Sequence, residues 1–195
     1  MAARTPGYAA EVRRLLDAGR EVMRRNGTAA KAKVADIVVA SGLSNDAFYR
    51  HFSSKDALIA AILEDGTARL ERYLTHQMEK ADTPEGRVRR WVQGVMRQAT
   101  DRDAAATTLA VLWNAGSWNA TGAIDRSAGP SATAPLAALL AEPLAALGSE
   151  DPELDASLVG HAVVGTLSDH LWRGTRPTRL EIDHLVGFCL RAVSA

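Results

Sequence analysis

The side chains best suited to contact a nucleic acid are concentrated in residues 44–55. Asn45 can form paired hydrogen bonds with an adenine edge, and Ala47 can pack against a thymine methyl group. Asp46 can accept a hydrogen bond from a cytosine amino group or orient Arg50, which is as well suited to solvent as to DNA. The side chains that can donate hydrogen bonds to phosphate oxygens are the phenol of Tyr49, the imidazole of His51 and the ammonium of Lys55. This segment therefore has the donors and acceptors of a DNA-binding surface.

Two short helices are predicted to position these side chains. Apolar residues recur at helical spacing over residues 34–41, and a second helix is predicted to begin after Ser44 and to end near residue 52. Gly42 supplies the backbone freedom for a tight turn between them, Leu43 can pack between the helices, and Ser44 can accept from the free amides that open the second helix. The residues predicted to face the core are Phe48 and Phe52. The pattern is that of a helix-turn-helix.

The formal net charge of zero conceals a basic N-terminal segment. Residues 1–55 carry ten Lys/Arg and five Asp/Glu, a charge of +5, so the remaining residues sum to −5. A basic segment on a neutral protein points to a polyanionic partner, although a randomly basic surface would give the same charge. The helix-turn-helix pattern inside the segment favours DNA as that partner.

The stretch from Val34 to Leu58 resembles the DNA-binding signature of the TetR family of transcriptional regulators. A Gly-apolar-Ser turn, an aromatic-Tyr-x-His/Tyr-Phe segment and a Ser-Lys-x-x-Leu segment are formed here by Gly42, Leu43, Ser44, Phe48, Tyr49, His51, Phe52, Ser54, Lys55 and Leu58. The resemblance is specific over about residues 8–60 and extends further only in helical layout and length. It implies that phosphates are held by Tyr49, His51 and Lys55. It implies that base edges in the major groove are faced by Asn45, Asp46 and Ala47.

The start of the second helix departs from the usual pattern of that family. The family usually has Thr or Ser there as a cap and phosphate contact, whereas this chain has Lys33 preceded by Ala32. Lys33 and Lys31 can contact phosphate by charge instead. The Gly27–Ile37 stretch is one residue longer than usual, so the sequence does not fix the register between Gly27 and Val34. The candidate DNA-binding residues are Lys33, Ser44, Asn45, Asp46, Ala47, Tyr49, Arg50, His51 and Lys55.

The whole chain is predicted to be all-α, because no segment shows sustained period-two alternation. Residues 1–55 are expected to form an N-terminal three-helix helix-turn-helix domain, and residues 56–195 a C-terminal helical bundle for effector binding and dimerisation. Helices are predicted at about 8–26, 34–41, 45–52, 54–80, 84–100, 103–117, 132–147, 152–174 and 178–193, with a loop at 119–131. Predicted helix caps are Ser53 or Ser54, Thr83, Asp151 and a Thr178–Glu181 capping box.

The C-terminal bundle contains all four tryptophans. Large aromatic side chains with a few polar groups suit a small apolar or aromatic effector, and the resemblance implies that such an effector binds inside the bundle. The predicted effector-binding residues are Trp91, Trp113, Asn114, Trp118 and His161. Simple filling of the core is the alternative for each tryptophan. His161 and His170 are nine residues apart and face opposite sides of a helix, so no metal site is predicted.

A second copy of the chain is expected as a partner, because one helix-turn-helix cannot span two half-sites about 34 Å apart. The resemblance implies that the last two helices pair with their symmetry mates in a four-helix bundle. The predicted homodimer interface contains Gly160, Val163, Leu167, Leu185 and Phe188. A close packing site within one chain would explain the glycines equally well.

Composition argues against several other classes of protein. The single cysteine, Cys189, allows no disulfide within one chain and fits a reducing cytoplasm. Its side chain is expected to be buried in the protein core. No run of about 18 apolar residues is present, so no contact with a membrane is expected. No activated nucleophile, carboxylate pair, phosphate loop or metal-ligand cluster suggests an enzyme or a cofactor. The expected protein is a DNA-binding repressor released by a small effector from its double-stranded operator; the alternatives are a helical protein-binding module or a small-molecule-binding protein without DNA activity.

Overall fold

The computed structural model describes residues 6–116 and 133–193, and every regular element within them is an α-helix. In chain order the helices are α1 (Pro6–Asn26), α2 (Val34–Ser41), α3 (Asn45–His51), α4 (Lys55–Met78), α5 (Pro84–Thr100), α6 (Arg102–Ala115), α7 (Ala134–Ala138), α8 (Ala141–Ala146), α9 (Pro152–Arg173) and α10 (Arg179–Val193). The predicted all-α class is confirmed, and the predicted 119–131 loop lies outside the described residues. None of the helices described is long and apolar enough to cross a membrane.

Capping side chains explain where several helices begin. Ser54, Thr83 and Asp151 each accept a hydrogen bond of 3.1 Å from the amide three residues later. At α10 the Glu181 carboxylate accepts from the Thr178 amide at 2.7 Å, and the Thr178 hydroxyl accepts from the Glu181 amide at 3.2 Å. The predicted capping box is therefore confirmed, and of the two candidates for α4, Ser54 is the cap.

The prediction of a single helix at 132–147 is wrong, because the chain forms two short helices there, α7 and α8. The break falls at Leu139 and Leu140. Pro143 has no N–H to donate, and its ring would clash with the carbonyl of Leu139, four residues earlier. Helical spacing of alanine and leucine continues across this break, so the apolar pattern alone does not reveal it.

Within the described residues, the first of two compact units contains residues 6–65 and 106–116. Its apolar core includes Leu15, Val22, Met23, Ile37, Phe48, Leu58, Ile62, Ala110 and Val111. Gly19 allows α1 to approach α4 closely, since a Cβ atom on Gly19 would lie 2.7 Å from Ile62 Cδ1. This unit extends to Asp65 and takes in part of α6, whereas the predicted N-terminal domain ended at residue 55.

The second compact unit contains residues 66–105 and 133–193 of the described chain. In it α9 packs against α5, α7 and α8, and α5 also packs against α10. Trp91 is fully buried there, and its indole N–H donates to the Leu136 carbonyl at 2.8 Å. Gly160 leaves room for α7, because a Cβ atom on it would lie 2.9 Å from the Ala137 Cβ. The chain passes from the first unit to the second within α4 and back within α6.

Candidate nucleic-acid interface

The turn between α2 and α3 is fixed by its own geometry and by α1. Gly42 has a φ of +63°, in the left-handed region that favours glycine. The guanidinium of Arg14 donates to the Ser41 carbonyl from Nε at 3.1 Å and from Nη2 at 2.7 Å, and to the Gly42 carbonyl at 3.2 Å. Ser44 then caps α3 by accepting from the Ala47 amide at 3.1 Å. The predicted turn is present, and Arg14, which sequence reasoning did not single out, braces it.

Helix α3 presents one face to solvent. Asn45, Asp46, Tyr49 and Arg50 are all exposed, whereas Phe48 is fully buried. Tyr49 remains 53% exposed, and its ring stands edge-on to Phe48 with 5.2 Å between the ring centroids. The Tyr49 side chain is therefore accessible to solvent while its ring contacts the buried Phe48. Four of the predicted DNA-binding residues are brought together on this face.

Ala47 does not belong to the exposed face of α3, so its predicted contact with a thymine methyl group is wrong. Its side chain is only 3% exposed. Consecutive residues are rotated by about 100° around a helix, which places Ala47 beside Phe48 on the side that enters the core.

His51 is also turned inward, and its predicted role as an exposed phosphate contact is wrong. Its side chain is 1% exposed, and Nε2 donates to Oε2 of Glu11 on α1 at 2.6 Å. The Tyr8 ring stands edge-on to the imidazole with 4.4 Å between centroids. Nδ1 is buried and has no hydrogen-bond partner within the described part of the chain. His51 thus joins α3 to α1 instead of facing outward.

The acidic partner of Arg50 is Glu11, whose Oε2 lies 3.8 Å from Nη2 of Arg50, rather than Asp46. The hydrogen bond from His51 lowers the pKa of Glu11 below its ordinary value, and the positive charges of Arg50 and Arg14 lower that pKa further. The carboxylate is therefore charged at neutral pH. Glu11 has no local sequence signal, because its partners are about forty residues away.

The three lysines near α3 have different surroundings. Lys33 is exposed on extended backbone before α2 and makes no side-chain cap bond, so its ammonium is available to a phosphate. Lys55 is half-buried at the first residue of α4. Lys31 instead donates to the Trp113 carbonyl and lies 4.9 Å from the Trp113 ring centroid. Desolvation lowers the pKa of Lys31, and the charge of Lys55 lowers it further. Lys33 and Lys55 are the lysines that can serve an interface.

The residues predicted to bind an effector are divided between the two units. Trp113 and Asn114 belong to the first, Trp91 and His161 belong to the second, and Trp118 lies outside the described residues. Trp91 is enclosed by core side chains, and His161 is exposed on α9. Trp91 therefore has the core-filling role that was the alternative for each tryptophan.

Asn114 has a structural task in the first unit. It is 5% exposed, and its Oδ1 accepts from the Ala32 amide at 2.8 Å. Its Nδ2 donates to the Ala110 carbonyl at 2.8 Å. The amide thereby fixes the segment before α2, whose register the sequence left open, against the C-terminal end of α6. Both polar ends of the amide are thus hydrogen-bonded within the first unit, and a contact of Asn114 with an effector stays a prediction.

Three of the predicted dimer-interface residues are buried within the second unit: Gly160, Val163 and Leu167. Their prediction is wrong, because α9 uses that side against its own chain. Leu185 is half-buried, and Phe188 is 50% exposed. The large apolar side chains exposed on α9 and α10 are Leu154, Leu158, Leu180 and Phe188. The four-residue spacing of Leu154 and Leu158 is the sequence signal that could have revealed this face.

An open groove of about 550 Å³ lies between α9 and the start of α10. Its polar lining includes His161, Asp169, His170, Arg173 and Glu181. On α10, burial raises the pKa of the Cys189 thiol to about 11, so this thiol stays protonated and unreactive at neutral pH. No three His, Cys, Asp or Glu side chains converge as metal ligands in residues 6–116 and 133–193.

Residues 15–62 match the model of the family described as bacterial regulatory proteins, tetR family. This segment includes α2, the turn and α3, so the surface described above lies inside the matched domain. No curated protein matches the chain.

Solved structures extend the similarity to the whole chain. A putative TetR-family transcriptional regulator from Rhodococcus sp. is 20% identical, with a TM-score of 0.70 over 95% of this chain and 99% of that one. The fatty acid degradation regulator FadR from Bacillus halodurans is 20% identical, with a TM-score of 0.62 over 100% and 97%. RolR in complex with the ligand resorcinol is 14% identical, with a TM-score of 0.61 over 98% and 91%. At these identities the likeness establishes the fold.

Proposed function

We propose that this chain, a regulatory protein with the N-terminal domain of the tetR family, binds duplex DNA through α3. The observation that carries the proposal is the exposed face of α3, with Asn45, Asp46, Tyr49 and Arg50, on a helix whose other side is fixed in the core. A helix of this width fits the major groove, where amide, carboxylate and guanidinium groups can distinguish base edges. Because bacterial DNA lies in the cytoplasm, we propose that the chain acts there.

The structure alters the set of residues proposed to contact DNA. Ala47 and His51 are removed, because both are buried. Asn45, Asp46 and Arg50 are proposed to face base edges. Phosphates are proposed to be held by Lys33, Ser44, Tyr49 and Lys55. The phosphate contacts position the helix, and the groups on its exposed face provide the sequence specificity.

Replacing Lys33 with glutamine is expected to weaken DNA binding about threefold to tenfold at 0.1 M salt. Since one phosphate contact is lost, the slope of log K against log salt concentration should become shallower by about 0.9. Fluorescence anisotropy with a labelled duplex from upstream of the protein's own gene measures both quantities. Lys80→Gln is the matched control, because Lys80 is an exposed lysine in the second unit.

Two outcomes would count against this assignment. An unchanged salt slope in the Lys33→Gln variant would remove Lys33 from the interface. Failure of the unsubstituted protein to bind any duplex, even at low salt, would overturn DNA binding itself.

A homodimer is proposed to present α3 twice, to half-sites one helical turn of DNA or a multiple of it apart. The proposed contact is the exposed apolar face of α9 and α10, marked by Leu158 and Phe188. Large apolar side chains that remain exposed on neighbouring helices are suited to a second protein surface. A two-fold axis would place this face against its own copy.

Replacing Leu158 with aspartate is expected to weaken the dimer at least about tenfold, because burying an unpaired carboxylate in an apolar contact is costly. Sedimentation velocity over a range of concentrations measures the change. Val39→Asp is the control, since Val39 is 80% exposed on α2 and belongs to the first unit, whereas the proposed contact is formed by helices of the second. An unchanged dimer in the Leu158→Asp variant would exclude this face, and a monomeric unsubstituted protein would exclude dimerisation.

A small molecule is proposed to release the protein from DNA, so that the chain acts as a repressor. The support is the likeness in fold to RolR, whose structure contains the ligand resorcinol. An effector that binds better to one conformation would shift the population towards it, moving α4 and changing the separation of the two α3 helices. Titration of the protein–DNA complex with small phenols and other apolar molecules tests this, since a releasing effector must lower DNA affinity reproducibly.

A further inference from the structure

Glu11 occupies a position on α1 where one carboxylate meets two neighbouring residues of α3. Its Oε2 accepts from His51 Nε2 at 2.6 Å, and the same oxygen lies 3.8 Å from Arg50 Nη2. His51 is buried, whereas the Arg50 side chain is 61% exposed. One contact is therefore a short internal hydrogen bond, and the other is a loose ion pair at the edge of the proposed DNA surface.

These two contacts differ in how easily they break. A distance of 3.8 Å is too long for a hydrogen bond, and exposed ion pairs of this kind contribute little to stability. The Arg50 guanidinium can thus exchange Glu11 for another anion without disturbing His51. A DNA phosphate or a guanine edge offers the acceptors that an arginine binds in a bidentate manner.

We propose that Glu11 is a positioning residue for DNA binding, which holds His51 inward and restrains Arg50 until DNA competes for its guanidinium. The inference rests on the proposed function, because it assumes that the exposed face of α3 meets DNA. The Glu11 carboxylate fixes the orientation of α3 through its hydrogen bond with His51. Its ion pair with Arg50 lowers the DNA affinity that Arg50 contributes. Arg14, one helical turn further along α1, fixes the turn between α2 and α3 that precedes this helix.

A double-mutant cycle separates this restraint from other effects of Glu11. The variants are Glu11→Gln, Arg50→Gln and the two together, each tested for affinity to the same duplex. Glutamine keeps an oxygen that can accept from His51 but removes the charge that attracts Arg50. Glu11→Gln is expected to raise DNA affinity about threefold when Arg50 is present. In the Arg50→Gln background the same change should raise it less than about 1.5-fold.

Loss of a negative charge close to DNA would also raise affinity in a general way, and Glu21→Gln measures that effect. Glu21 is an exposed carboxylate on α1, bonded to Arg24 at 2.9 Å. The restraint predicts a larger gain for Glu11→Gln than for Glu21→Gln. Thermal unfolding of each variant verifies that the first unit remains folded.

The possible outcomes are distinct. Coupling between Glu11 and Arg50, with a gain that disappears in the double variant, supports the inference. Equal gains in DNA affinity with and without Arg50 would mean that Glu11 acts only as a general repulsive charge. Equal losses of DNA affinity would mean that Glu11 has only a structural role. Either result overturns the inference. If the unsubstituted protein binds no duplex, the proposed function fails and the inference fails with it, whereas binding without coupling refutes the inference alone.

Discussion

The Trp91→Ala variant is expected to lose about 3–5 kcal/mol of unfolding free energy, the largest effect of any single substitution considered for the second unit. Trp91 is fully buried, so alanine leaves a cavity that the surrounding helices can fill only in part. The Leu136 carbonyl also loses the indole N–H that donates to it at 2.8 Å. Urea unfolding followed by circular dichroism measures the loss.

Trp91→Phe is the matched control, because it keeps an aromatic ring but removes the indole N–H. It is expected to cost about 1–2 kcal/mol, mainly through the unpaired carbonyl. A Trp91→Ala variant with unchanged stability and altered response to an effector would contradict the core role. It would restore the role in effector binding that the sequence first suggested.

The Asn114→Ala variant is expected to lose about 3 kcal/mol, from one buried amide left without an acceptor and a small cavity. Both ends of the Asn114 side chain are hydrogen-bonded at 2.8 Å, to the Ala32 amide and the Ala110 carbonyl. Chemical denaturation measures the loss, and hydrogen exchange at the Ala32 amide should accelerate in the native state.

The control for this substitution is Gln93→Ala, which removes an exposed carboxamide from α5. Its effect should stay within about 0.5 kcal/mol. Equal stability changes in the two variants would show that burial of the Asn114 amide contributes nothing beyond helix propensity. Faster exchange at Ala32 without a loss of stability would confine the role of Asn114 to the segment before α2.

Most helix boundaries could be predicted because their signals are local. Thr83, Asp151 and the Thr178–Glu181 pair act on amides within three residues, so the sequence alone contains both partners. The turn at Gly42 also has a local signal, because its φ of +63° lies in the left-handed region that favours glycine. The helix-turn-helix was therefore accessible to sequence reasoning.

The inward position of Ala47 and His51 could not be derived from chemistry of residue types alone. An imidazole is as suited to a buried carboxylate as to a phosphate, and the carboxylate of Glu11 is 40 residues away in sequence. Helical geometry did contain a signal. Ala47 and His51 directly precede Phe48 and Phe52, so Ala47, Phe48 and His51 lie on one side of α3, next to its C-cap residue Phe52.

The residues of α9 that were predicted to form a dimer interface illustrate a different limit. A glycine in a helix indicates that something approaches closely, but not which molecule it belongs to. Gly160 accommodates Ala137 of the same chain, and Val163 beside it is buried in the same unit. Only the packing of α7 against α9 decides between a neighbour in the same protomer and a second copy.

The division of α3 into two sides separates the residues that hold the helix in the core from those that are proposed to contact DNA. Ala47, Phe48 and His51 are committed to the interior, while Asn45, Asp46, Tyr49 and Arg50 remain at the surface. Exposed substitutions usually alter stability by no more than about 0.5 kcal/mol, so the second group can be recoded without sacrificing the scaffold. Under the proposed function, changes at those four positions would alter which operators the helix recognises, and a library randomised there is a direct route to variants with new targets.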